Sequence, residues 1–184
     1  ICSEEEDLTL LNWAKELGCN YVRLAHYPHN EKMVRLAEKM GLMVWSEIPV
    51  YWTIQWENKD TYQNAHNQLM EMIERDQNRA AVIIWSIANE TPHGEARDRF
   101  LSNLAKAARE KDNSRLLSMA MERSDKSATV LSIQDKMSEY VDIISCNQYL
   151  GWYDGLNEKI DRVRWEVDYE KPLVFSEMGG GAVA

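Results

Sequence analysis

The sequence predicts an α/β protein built on a parallel sheet. Three observations carry this reading. Six short apolar runs recur along the 184 residues. Helical patterns with one apolar face separate them. Several runs are apolar on both faces, as in strands of a parallel sheet covered by helices on both sides.

The elements follow in order. Ser3-Glu4-Glu5-Glu6 has the spelling of a capping box, in which the serine and the third residue after it satisfy each other's free N–H. Leu10, Leu11, Ala14 and Leu17 then hold a helical face, and Gly18 is a natural stop. Tyr21 to Ala25 reads as a strand. Asn30 caps a second helix with Met33, Leu36, Ala37 and Met40 on one face, ended by Gly41. Leu42 to Ser46 is the next strand, so a helix–Gly–strand unit occurs twice. Residues 60–78 predict a helix with Leu69, Met72 and Ile73 inward, and Ala81 to Ala88 a strand apolar on both faces. A helix over 95–112 carries Phe100, Leu101, Leu104, Ala105 and Ala108, and Leu116 to Met121 is a strand. A weaker helix over about 126–139 precedes a strand from Val141 to Ser145. Leu156, Ile160, Val163 and Val167 mark another helix, and Pro172 to Ser176 is the last strand. No linker or low-complexity tract interrupts residues 1–184, which read as one domain.

Composition narrows the function. A net charge of −9 argues against general binding to nucleic acid or anionic membrane, which both call for excess Lys and Arg. No apolar run approaches the roughly 18 residues that span a bilayer. The first residues lack the basic start and apolar stretch of a signal peptide, and no initiator Met is present, as in a processed chain or an excised piece. Cys2, Cys19 and Cys146 form no CxxC pair and read as ordinary thiols. Seven Trp is a high number, which suits a large core or flat aromatic surface facing a ligand.

An open doubly wound sheet and a (β/α)8 barrel both accommodate this order. No Gly-rich phosphate turn follows an early strand, which weakens the nucleotide-binding version. Polar groups gather where the strands end: Arg23 and His26, Glu47, Asn89 and Glu90, Glu122 and Arg123, Asn147 and Tyr149, and Glu177. Barrel enzymes build their sites at the C-terminal ends of the strands, where the βα loops converge. Polar residues also simply mark where a strand leaves the core. Six such ends together favour a site.

Glu90 and Glu177 end strands three βα units apart, and such ends can face each other across a barrel mouth. Two facing carboxyls suit retaining glycoside hydrolysis, with one group protonated as the acid and the other ionised as the nucleophile, roughly 5–5.5 Å apart. Metal binding, the rival use of carboxylates, calls for a His or Asp cluster that the sequence does not offer. No cofactor motif is present either.

Five motifs carry a family resemblance. Arg-Leu-Ala-His26-Tyr-Pro-His, Val-Trp-Ser-Glu47-Ile-Pro, Ile-Ile-Trp-Ser-Ile-Ala-Asn89-Glu90, Asn147-Gln-Tyr149-Leu-Gly-Trp-Tyr153 and Phe-Ser-Glu177-Met-Gly occur in that order. The chain resembles the catalytic barrel of glycoside hydrolase family 2, which includes β-galactosidases, β-glucuronidases and β-mannosidases. The resemblance implies Glu90 as general acid/base and Glu177 as the nucleophile that forms a glycosyl-enzyme. It implies Asn89 as a hydrogen-bond partner of the sugar 2-hydroxyl and His26 as a sugar contact. Tyr149 becomes the partner of the nucleophile, and Tyr153 a contact on the sugar's far side. Glu47 reads as a buried acid tying the mouth together or supporting His26 and Arg23, and Glu122 as solvated or supporting. Trp52, Trp56 and Trp152 lie in loops after strands, where an indole could stack on a sugar or simply pack. Trp45 and Trp85 lie within strands and read as core.

The chain also departs from that family. A complete barrel has eight strands and about 250 residues, and six are counted here. The first and eighth strands, and the two β-sandwich domains that precede the family's barrel, are missing. The expectation is an incomplete TIM barrel whose open edges are covered by a neighbouring chain, self-associate, or leave the piece poorly soluble. The residues that recognise a glucuronide's carboxylate lie beyond this chain's end in the family. The 147–153 run resembles the glucuronidase version more than the classical galactosidase one. A retaining exo-β-glycosidase for terminal galactosides or glucuronides is expected. A truncated, inactive carbohydrate-binding fragment is the alternative, and an acidic interaction fragment without a sugar site is the third reading.

Overall fold

The computed structural model describes residues 3–180; Cys2 lies outside them. Four α-helices, α1 (Glu4–Glu16), α2 (Glu31–Lys39), α3 (Lys59–Asp76) and α4 (Glu95–Lys111), alternate with the first strands. The strands are β1 (Tyr21–Leu24), β2 (Met43–Glu47), β3 (Val82–Asn89), β4 (Leu116–Met121), β5 (Val130–Ser132), β6 (Ile144–Gln148), β7 (Arg164–Glu166) and β8 (Leu173–Met178). One six-stranded sheet runs β1-β2-β3-β4-β6-β8 with every neighbouring pair parallel. Its two edge strands approach each other through side chains, so the sheet is a nearly closed, incomplete (β/α)8 barrel.

Local chemistry places the helices. The capping box forms at α1: Glu6 N–H donates to Ser3 Oγ at 3.2 Å, and Ser3 N–H to Glu6 Oε2 at 2.6 Å. The Asn30 and Asn58 side chains accept from the first turns of α2 and α3. Gly41 ends its unit at φ 72°, a left-handed conformation that costs other residues a Cβ clash. The inward residues expected on α3 and α4 are all buried. Trp45 and Trp85 are buried core, as their place within strands predicts. The Trp85 indole N–H also donates to Asp112 at 3.0 Å, which satisfies a buried donor.

Four expectations are corrected. The helix expected over 126–139 is β5, a loop and a single 3-10 turn (Lys136–Glu139). The helix expected from Leu156, Ile160, Val163 and Val167 is a 3-10 helix (Asn157–Arg162) followed by β7. Leu131, Ile133 and Met137 are buried as apolar residues should be, but β5 pairs with β7, 34 residues away, instead of coiling on itself. No α-helix therefore separates β4 from β6 or β6 from β8. On α1 only Leu11 of the expected apolar face is buried; Leu10 and Leu17 face outward, beside exposed Leu8 and Trp13. The fifth strand of the sheet starts three residues later than expected, at Ile144.

Candidate functional site

Site residues sit at the C-terminal ends of the barrel strands, and β1 supplies their hub. Arg23 Nε donates to Glu47 Oε2 at 3.0 Å and Nη2 to Glu47 Oε1 at 2.9 Å. The same guanidinium reaches Asn89 Oδ1 at 2.7 Å, Asn147 Oδ1 at 3.2 Å and Glu177 Oε1 at 2.6 Å. Its five donors in a rigid fork are what allow one residue to join five strands. A lysine could not span these acceptors.

Glu47, at the end of β2, is fully buried and also accepts from the Trp45 indole at 2.9 Å and the Ser86 hydroxyl at 2.8 Å. His26 Nδ1 lies 2.9 Å from Glu47 Oε1, and its Nε2 lies 3.5 Å from Glu177 Oε1. Burial pushes the Glu47 carboxyl up, but His26, Arg23, Ser86 and Trp45 outweigh it and hold the group below the ordinary value. The bond to Glu47 raises the His26 imidazole, against a smaller opposing effect of burial. Glu47 thus supports both His26 and Arg23, as its sequence position suggests.

Glu177 in β8 is bonded at both oxygens. Arg23 donates to Oε1, and the Tyr149 hydroxyl donates to Oε2 in a short contact. Burial and the Glu177 carboxylate together push the Tyr149 phenol well above its ordinary range, so it keeps its proton for donation. Asn147 Nδ2 donates to Asn89 Oδ1 at 3.1 Å, and Ser176 Oγ donates to Asn147 Oδ1 at 2.9 Å. Asn89 is thereby fixed between β1 and β6.

Glu90 follows β3 in a left-handed conformation, φ 47°, and Trp52 opposite it has φ 53°. Such backbone is costly for residues with a Cβ, of order 1–3 kcal/mol each, and survives only where surroundings impose it. Here Trp52 N–H donates to Asn89 O at 3.1 Å, and Glu90 N–H to Ala120 O at 2.8 Å. The Trp52 indole Nε1 lies 3.4 Å from Glu90 Oε2. The two strained residues therefore hold each other's side chains at the mouth.

A cavity of about 450 Å³ opens beside Glu90. Trp52, Glu122, Arg123, Asn147, Tyr149, Tyr153 and Asp154 form its walls with Glu90 and Met121. Tyr153 is 79% exposed and packs edge-on against Tyr149, ring centroids 5.3 Å apart. Arg123 Nη1 donates to Gln148 Oε1 at 3.0 Å and Asp154 Oδ2 at 2.7 Å, which ties the loop after β6 to the end of β4.

The structure brings His26, Asn89, Tyr149 and Glu177 into one hydrogen-bonded cluster around Arg23 and Glu47. Glu90 and Tyr153 line the adjoining cavity. Of the loop tryptophans, Trp52 faces the site. Trp56 packs edge-on against Phe100, 5.3 Å between centroids, and Trp152 packs on Tyr153. Sequence reasoning passed over Asp154 and Ser176, and it listed Arg23 without seeing it as the centre. An arginine three residues before a strand-end histidine was the available signal. No group of three or more His, Cys, Asp or Glu among the described residues is placed to hold a metal ion.

Comparison with known proteins gives a consistent neighbourhood. Residues 4–184 match the family described as glycosyl hydrolases family 2, TIM barrel domain. The chain is 30% identical over 200 residues to a β-glucuronidase of Paenibacillus borealis, covering 97% of this chain and 32% of that protein. It is 32% identical over 189 residues to the β-glucuronidase of Chlorocebus aethiops, covering 97% of this chain and 28% of that one. The chain thus spans about a third of the length of these relatives. Among solved structures, a β-glucuronidase of an uncultured Clostridium sp. superposes with a TM-score of 0.80 at 27% identity, over 100% of this chain and 34% of that one. A β-D-glucuronidase of Dictyoglomus thermophilum gives 0.78 at 25% identity, over 100% and 34%.

Proposed function

The chain belongs to the TIM barrel domain of glycosyl hydrolases family 2, and from that premise we propose that it carries the catalytic pair of a retaining exo-β-glycosidase acting on β-glucuronides. Glu90 is the acid/base and Glu177 the nucleophile. The observation that carries the reading is the unequal treatment of these two carboxylates. Glu177 receives donors on both oxygens, from Arg23 and Tyr149, which fixes its orientation for attack. Among the described residues the Glu90 carboxylate meets only the Trp52 indole, and it lines the cavity, as a group must that gives and takes a proton.

In this mechanism Glu90 protonates the glycosidic oxygen while Glu177 attacks the anomeric carbon. The leaving group departs and a covalent glycosyl-enzyme remains. Glu90 then takes a proton from water, which attacks the same carbon and releases the sugar and Glu177. Asn89 bonds the sugar 2-hydroxyl, a contact that strengthens in the transition state. His26 bonds a sugar hydroxyl while its other nitrogen stays on Glu47. Tyr153 bounds the far side of the sugar. The glucuronide preference draws on the names of the relatives and on the Asn147–Tyr153 run.

The test is hydrolysis of aryl β-glucuronide, galactoside, mannoside and glucoside by this chain and by a form extended at both ends to the length of the relatives. Turnover of the glucuronide is expected, abolished by Glu177→Gln. Glu90→Ala should slow activated aryl glycosides least, because their leaving groups need little protonation. If both variants keep full activity, the assignment fails. If neither form hydrolyses any of the four, the binding-fragment reading replaces it.

A further inference from the structure

We propose that Thr91 and Arg97 are positioning residues for Glu90: Arg97, clamped by Asp135, holds the Thr91 hydroxyl and through it the backbone that aims the Glu90 carboxyl. The inference rests on Glu90 as the acid/base, and it gives a task in the reaction to a buried cluster behind the site.

Glu90 stands in left-handed backbone, φ 47°, which a glutamate keeps only where its surroundings hold it. Main-chain bonds hold the chain up to that point. Asn89 N–H donates to Val50 O at 2.8 Å, and Glu90 N–H donates to Ala120 O at 2.8 Å. The chain that follows has no such support. Thr91, Pro92 and His93 make no main-chain hydrogen bond among the described residues, and Pro92 has no N–H to offer. α4 begins only at Glu95.

Side chains supply the missing anchor. Thr91 and Arg97 are 0% and 1% exposed, and Thr91 Oγ1 accepts from Arg97 Nε at 3.0 Å. The two terminal nitrogens of Arg97 are both occupied. Nη1 donates to Asp135 Oδ1 at 2.7 Å and to Asp98 Oδ1 at 2.9 Å, and Nη2 donates to Asp135 Oδ2 at 2.6 Å. Asp135 is held in turn: its Oδ1 accepts from Met137 N–H at 2.9 Å, and His93 Nε2 lies 3.5 Å from its Oδ2. A planar guanidinium gripped at both ends cannot turn, so its Nε points at one place. That place is the residue next to Glu90. A cluster that only joined α4 to the segment after β5 would need the carboxylate pair and no bond to Thr91. Displacing a reacting group by about 1 Å costs on the order of 100-fold in rate. The loss falls on the proton transfer that Glu90 performs, which matters most for leaving groups that depart poorly as anions.

The test compares phenyl and dinitrophenyl β-glucuronide, a poor and an activated leaving group, on whichever form of the chain, as given or extended, hydrolyses the glucuronide. Thr91→Val keeps the shape of the side chain and removes the acceptor. It should lower kcat/KM by about 10–100-fold on the phenyl glycoside and by less than about threefold on the dinitrophenyl one. Thr91→Ser keeps the hydroxyl and should restore the phenyl rate. Arg97→Lys keeps a charge beside Asp135 but loses the fork, so it should show the same selective loss, and it replaces Thr91→Val if that variant does not fold. A crystal structure of the variant should show the Glu90 carboxylate displaced from the Trp52 indole. Equal loss on both substrates, no loss, or an unmoved carboxylate overturns the proposal, because a purely structural cluster affects both substrates alike. Glu90→Ala, measured alongside, keeps the two readings apart. If it shows no leaving-group selectivity, the acid/base assignment fails, and the carboxylate position in the variant crystal then decides whether the cluster positions Glu90.

Discussion

Arg23 and Glu177 lie on the two edge strands of the sheet, yet the guanidinium donates to the carboxylate at 2.6 Å. β1 and β8 share no backbone ladder. Side chains close the barrel mouth where main-chain pairing does not. The residue that closes it also grips Glu47, which carries a buried negative charge.

Arg23→Met should consequently be among the most damaging substitutions in the chain. It leaves Glu47 buried without its main counter-charge, a loss of about 3–5 kcal/mol for a broken buried pair. Arg23→Lys should recover only part, because an ammonium cannot reproduce the bidentate fork. Urea denaturation midpoints of the three proteins measure the order. Equal stability of Arg23→Met and wild type would remove Arg23 from its central place.

Stability should be highest in a window bounded by Glu47 and His26. Folding lowers the Glu47 carboxyl below its ordinary 4.5, so that contribution is full above this value and is lost as pH falls through the lower folded value. Folding raises the His26 imidazole above its ordinary 6.5, so that contribution is full below this value and fades as pH rises through the higher folded value. Between them both groups are charged and paired. His26→Asn should flatten the alkaline decline and move the acid limb to higher pH, because the His26 bond is the largest of those that hold Glu47 down, as melting temperatures measured from pH 4 to 9 will show.

Tyr149→Phe removes one of the two donors to Glu177 at little cost in packing. The turnover number should fall by about 10–100-fold, the range for a hydrogen bond to a charged group, with a melting temperature within a few degrees of wild type. Ultraviolet titration provides a second readout. Tyr149 and Tyr21 are both pushed above the ordinary phenol value by burial. The Tyr149→Phe protein should lose one of the late-titrating tyrosines and no early one.

Arg97 and Asp135 form a buried bidentate pair, with Nη1–Oδ1 at 2.7 Å and Nη2–Oδ2 at 2.6 Å, and Arg97 Nε donates to Thr91 at 3.0 Å. The pair anchors α4 to the segment that replaces the expected helix after β4. Asp135→Ala should destabilise by about 3 kcal/mol, because the guanidinium stays buried without its bidentate partner and keeps only Asp98, at 2.9 Å, beside it. Replacing both residues by apolar ones of similar volume should recover much of that loss. A double-mutant cycle in urea reads the coupling.

The apolar runs were enough to locate all six strands of the main sheet within three residues: the four inner strands are buried on both faces, which leaves a continuous apolar signature, and the half-exposed edge strands β1 and β8 are apolar as well. Caps at Ser3 and Asn30 and stops at Gly18 and Gly41 are local chemistry, written in the chain itself; the cap at Asn58 emerged only from the structure. The polar residues at the strand ends could likewise be read one by one. The segments 126–139 and 156–167 could not. Their apolar residues fall at spacings that suit a helix, but β5 pairs with β7 across 34 residues and periodicity carries no information about such a partner.

The site divides along the same line. The C-terminal position of Glu90, Asn89, Tyr149 and Glu177 follows from sequence, because each stands at the end of an apolar run. That one arginine would join Glu47, Asn89, Asn147 and Glu177 was decided by curvature of the sheet, which brings residues 154 positions apart into hydrogen-bond contact. The bond between Trp52 and Glu90 and the cavity between β4 and the 149–155 loop belong to the same category. Side-chain chemistry is a property of each residue, whereas the company it keeps depends on how the strands tilt and close.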